Sequence, residues 1–100
     1  MDIISIDVTP KKVTADVYDA VTVTVVKNNE NKKVHLKTYI VNKEGHIVGK
    51  TETDFEVKVG VEVAVEQSVL TYSPDTENEY TIVCEIEGTK KDGKFMFPVL

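Results

Sequence analysis

Arginine and tryptophan are absent from this 100-residue chain, cysteine occurs once, and leucine and alanine occur three times each. Each scarcity closes something off. Without arginine there is no guanidinium to clamp a phosphate, carboxylate or guanine through two parallel hydrogen bonds. All 12 cationic side chains are Lys and the formal net charge is −5. Nucleic acid is therefore not an expected partner, because its backbone is bound by clustered cations that displace counterions. The single Cys84 excludes an intrachain disulfide. Few leucines and alanines leave little from which to build a helical core. No window is apolar for long enough to span a membrane. Met1–Asp7 lacks the basic flank and apolar run of a secretion signal.

What fills the gap is β-branching: 18 Val, 11 Thr and 7 Ile make up 36 residues of the chain. Such side chains are restricted on a helix and pack well on a pleated surface. The length suits one domain, residues 1–100, with one modest core. An all-β fold of about seven strands is expected.

Alternation locates the strands. Ile4, Ile6 and Val8 form a first one that stops at Thr9-Pro10, and Lys11 to Asp19 reads as a turn with a short edge segment. Val21, Val23 and Val25 alternate with Thr22 and Thr24, which places the valines inward. Val34 to Val41 is expected to bury Val34, Leu36 and Ile40. The tight turn Asn42-Lys43-Glu44-Gly45 joins this strand to an antiparallel neighbour from His46 to about Thr53. Odd positions from Phe55 to Val69 alternate in one register broken by Gln67, and Gly60 allows either one bent strand or two. Tyr80, Ile82, Cys84 and Ile86 form another inward face. Lys91-Asp92-Gly93-Lys94 is expected to turn the chain into a last strand carrying Phe95, Phe97 and Val99, with Pro98 at an edge.

From Leu70 to Cys84 the chain reads Leu-Thr-Tyr-Ser-Pro-Asp-Thr-Glu-Asn-Glu-Tyr-Thr-Ile-Val-Cys. This stretch resembles the immunoglobulin-like superfamily in its fibronectin type III-like or similar bacterial, archaeal and viral forms, which place Leu, Pro, Thr and Tyr here in that order. The resemblance implies a single two-sheet antiparallel sandwich and makes Tyr80 the tyrosine-corner residue. It departs from the family in having two extra residues between Thr76 and Tyr80, no core Trp, and a Cys84 four residues after Tyr80. Because the Asn42–Gly45 hairpin keeps its second strand beside the first, three strands (near Ile4, Val21 and Val69) should face four.

Chemistry is sparse. Cys84, in phase with its apolar neighbours, reads as a small buried hydrophobe. His35 and His46 flank the hairpin turn but lack a third ligand, and Asp75, Glu77 and Glu79 do not have calcium-loop spacing. Glu62, Glu66, Glu85 and Glu87 read as wet strand faces, and Ser5, Ser68 and Ser73 sit in no nucleophile elbow. No enzyme, metal or cofactor is expected. Tyr18, Tyr39 and Tyr72 fall outside the apolar registers and would suit a sugar-binding platform if they shared a face. The loops at 28–33 and 88–94 should lie together at one end, offering Asn29, Asn31, Lys32, Lys90 and Asp92 to a partner. The expected function is a non-catalytic interaction or structural module within a larger assembly, on a virion or a cell surface. The alternatives are a carbohydrate-binding accessory module and an inhibitor that presents a loop.

Overall fold

The computed structural model describes residues 1–99, which form seven antiparallel strands and, among the described residues, no helix. One sheet holds β1 (Asp2–Lys12), β2 (Val17–Lys27) and β5 (Glu62–Tyr72) in the order β1-β2-β5. The other holds β4 (Ile47–Val57), β3 (Lys32–Val41), β6 (Tyr80–Ile86) and β7 (Thr89–Phe95) in the order β4-β3-β6-β7. Three strands face four in a two-sheet antiparallel sandwich, as expected. Among the described residues no helix is long and apolar enough to cross a membrane. Pro10 lies on edge strand β1, where its missing N–H is tolerated, and Lys90, Lys91 and Lys94 stud edge strand β7 against further pairing.

Several sequence expectations shift. β1 continues past Thr9-Pro10 to Lys12, and a bulge between Ile3 and Ser5 buries Ile3 while leaving Ile4 exposed. β2 is inverted: Ala20, Thr22, Thr24 and Val26 are buried, whereas Val21, Val23 and Val25 lie on the outer face. Thr and Val have nearly the same shape, so alternation reveals the period of this strand but not its inner side. Phe55 to Val69 resolves into two strands, separated by a turn in which Gly60 has φ of 72°.

The final hairpin turns at Glu87-Gly88, not at Lys91–Lys94, which lie inside β7. Both turn residues have positive φ (50° and 82°), as a two-residue type I′ turn requires. Pro98 and Val99 follow the last strand instead of belonging to it, and Val99 is exposed.

The core has three layers along the strands. One apolar cluster gathers Ile3, Val26, Val34, Leu36, Val57, Val65 and Ile86. The other gathers Tyr18, Ala20, Ile40, Val69, Tyr80, Ile82 and Phe97. Between them runs a buried polar belt. Thr38 Oγ1 donates to Gln67 Oε1 at 2.5 Å, and Gln67 Nε2 donates to Thr53 Oγ1 at 3.0 Å and the Leu36 carbonyl at 3.4 Å. Cys84 Sγ lies 3.3 Å from Thr24 Oγ1 and 3.6 Å from Thr38 Oγ1. Satisfied in this way, buried polar groups cost little, and they fix which strands sit opposite one another.

Candidate functional site

The strand directions bring the β2–β3, β4–β5 and β6–β7 connections to one end of the sandwich. Lys32, the first residue of β3, ties two of them together: its Nζ lies 2.8 Å from Glu87 Oε1 and 3.3 Å from Glu30 Oε1. These carboxylates, Glu87 above all, hold the Lys32 ammonium above its ordinary pKa. Asn31 Oδ1 accepts from the Val59 backbone N–H at 2.8 Å, and the Asn28 carbonyl accepts from Gly60 N–H at 3.0 Å. Of the residues expected to meet a partner here, Asn31 and Lys32 brace loops against each other and Asn29 is exposed. Lys90 and Asp92 are not loop residues; they lie on β7, paired with Glu85 and Val83.

The histidines do not meet. His35 pairs with Asp54 across the β3–β4 ladder, while His46 sits in the turn roughly 20 Å further along the strand. His35 is held between two carboxylates, with Nε2 2.8 Å from Glu52 Oε1 and Nδ1 2.6 Å from Asp54 Oδ1. Those hydrogen bonds, to Glu52 first and then Asp54, raise the imidazole pKa and lower both carboxyl pKa values. The two ring nitrogens point in opposite directions, so the carboxylates cannot converge on one ion. No cluster of metal-ligating side chains occurs among the described residues. Asp75 is likewise engaged in its own turn, accepting from Glu77 N–H and Asn78 Nδ2.

The three tyrosines share no face, so the condition for a sugar-binding platform is not met. Tyr18 is buried against Phe97, with ring centroids 5.4 Å apart. Tyr39 lies on the outer face of the four-stranded sheet, 5.7 Å from Lys37 Nζ. Tyr72 is 69% exposed at the end of β5, beside a cleft of about 330 Å³ between the Asn42–Gly45 turn and the β5–β6 loop. Tyr80 is buried, and its hydroxyl accepts from the Asp75 backbone N–H at 2.8 Å, back toward the preceding loop.

The surface that sequence reasoning missed is the outer face of the three-stranded sheet. Its central column is Val17, Asp19, Val21, Val23 and Val25, flanked in register by Asp7 and Glu66 about Val23, and by Lys11 and Leu70 about Asp19. The signal was the pair of acidic residues, Asp7 and Glu66, on either side of Val23, hidden because the valines were assigned inward.

A scan of protein-family models and a search of curated proteins return no match. Solved structures do match in fold. A β-glucuronidase from glycoside hydrolase family 2 aligns with a TM-score of 0.85 and 17% identity, covering 94% of this chain and 11% of that one. A family 2 member from Bacteroides cellulosilyticus aligns with a TM-score of 0.79 and 22% identity, over 90% of this chain and 13% of its own. A protein from Archaeoglobus fulgidus is matched over its whole length, 99% of this chain and 100% of that one, with a TM-score of 0.63 and 12% identity. The chain thus spans about one-eighth of the two hydrolases and has the fold of a single sandwich unit within them.

Proposed function

We propose that the chain is a non-catalytic accessory module, an Ig-like sandwich that works by packing against a larger protein or assembly. The supporting observation is the asymmetric coverage: nearly all of this chain aligns with a small part of long glycoside hydrolase chains. The local chemistry agrees. His35, Glu52, Asp54, Asp75 and Lys32 are engaged in pairs or turns, and Cys84 is buried among threonines. None of these groups is held ready for a substrate.

A photo-crosslinking amino acid placed at Ala64, and separately at Lys50, samples the two outer sheet faces in the source cell. A discrete adduct from either face is the expected result. Absence of a discrete adduct from both, together with turnover of aryl β-glucuronide or β-galactoside by the purified chain, overturns the reading.

A sugar-binding role has one feature in its favour, the exposed Tyr72 ring beside the cleft. Retention on a glycan array that is lost in Tyr72→Ala is the outcome that supports it. The cleft's polar lining is largely occupied with its own turns, since Asn42 Oδ1 already accepts from Glu44 and His46 N–H.

A further inference from the structure

The two outer faces carry their charges differently. Across the four-stranded sheet one cross-strand row reads Glu52, Lys37, Glu85, Lys90, alternating in sign from edge to edge. His35 is clamped by Glu52 and Asp54 on this same face, and every ion pair among the described residues lies here or at the adjoining loop end. The three-stranded face holds no ion pair among the described residues. Its charged rows read Asp2, Lys27, Glu62, which also alternates in sign; then Asp7, Val23, Glu66; then Lys11, Asp19, Leu70. Five carboxylates stand there against two ammonium groups, around a column of half-buried valines and a Leu70 that is 43% exposed.

Asp19 is the sharpest anomaly. It is 7% exposed; Oδ2 accepts from Ser68 Oγ at 2.5 Å, and Oδ1 has no donor among the described residues. A carboxylate removed from water with an empty acceptor is costly unless a donor arrives, and charged donors satisfy it best.

We propose that the outer face of the three-stranded sheet is a docking surface for a basic protein surface, one that sets Lys or Arg side chains among aliphatic ones. The valine column supplies the apolar contact. Asp7 and Glu66 receive cations on either side, and the buried Asp19 carboxylate beneath Lys11 and Leu70 adds its charge to their attraction. Two copies are not expected to pair face to face here, since two such acidic faces repel. This inference rests on the module reading and names the face and partner chemistry for it.

The test is an amide NMR titration of the isotope-labelled chain with acetyl-Lys-Val-Lys amide and with acetyl-Glu-Val-Glu amide. The lysine peptide is expected to shift the amides of Asp7, Asp19, Val23 and Ser68, and the glutamate peptide to leave them still. Glu66→Gln, an exposed change, and Asp19→Asn, which keeps an acceptor for Ser68, should each weaken the lysine peptide about threefold. Equal binding of the two peptides, shifts confined to the Lys37–Glu85 face, or unchanged affinity in Glu66→Gln overturns the proposal. A cellular adduct from Lys50 alone also overturns this face while leaving the module reading intact.

Discussion

The two halves of the core reach the same degree of burial by different means. Around Leu36 the cluster is aliphatic and comes from strands alone, with side chains placed by register. Around Phe97 it is aromatic: Phe97 sits edge-on to Tyr18, Tyr80 and Phe95 with ring centroids 5.0 to 5.4 Å apart. Phe97 itself lies beyond the last strand, so this half is closed by a tail that no ladder holds. One half depends on strand pairing, and the other depends on a plug.

That contrast has measurable consequences, largest first. Phe97→Ala is expected to cost about 3–5 kcal/mol in denaturant unfolding, since edge-to-face contacts with three rings are lost and a large void remains. Leu36→Ala should cost about 2–4 kcal/mol for its smaller void. Combined, the two should add to within about 0.5 kcal/mol, because the polar belt separates their contacts. Strong non-additivity would mean that the halves are one unit. Tyr80→Phe should cost about 1–2 kcal/mol by leaving the Asp75 N–H without its acceptor, and a neutral result would remove the hydroxyl from the account of this half.

The smallest expected effect lies outside both halves. The His35 pKa is raised in the folded state, so its contribution is present in full below the unfolded value near 6.5 and is lost as pH rises through the folded one. The Glu52 and Asp54 pKa values are lowered, so theirs is present above the ordinary carboxylate range and lost as pH falls through the folded values. Stability measured against pH should therefore crest mildly between these limits. His35→Gln should flatten the decline above neutrality, and an unchanged profile would discount the clamp.

The aliphatic half was the more legible one. Val34, Leu36, Cys84 and Ile86 alternate with polar residues and are buried as that alternation implies. The Asn42–Gly45 hairpin correctly sorted the strands into sheets of three and four. Legibility failed where two side chains obey one pattern equally well. In β2, Thr and Val share a shape, and the choice between them was made by the partners opposite: Thr22 and Thr24 face the belt of Gln67 and Cys84. Asp92-Gly93 reads as a turn in isolation, yet the chain turned at Glu87-Gly88, just past the last inward position, Ile86. The candidate site suffered most. Lys90 and Asp92 moved from loop to strand, and the acidic valine face became visible only once the β2 assignment was reversed.

Gln67 has a bearing on how the chain avoids mispairing while it folds. Sliding β5 by one residue against β2 would send the glutamine amide to solvent and carry Glu66 or Ser68 into the interior. A slide of two would set Val65 or Val69 against Thr38, stranding its hydroxyl in a dry interior with only a thiol nearby. Valine-rich strands tolerate either slip in their hydrophobic contacts alone. The single amide therefore acts as a proofreading mark, penalising every pairing but the native one.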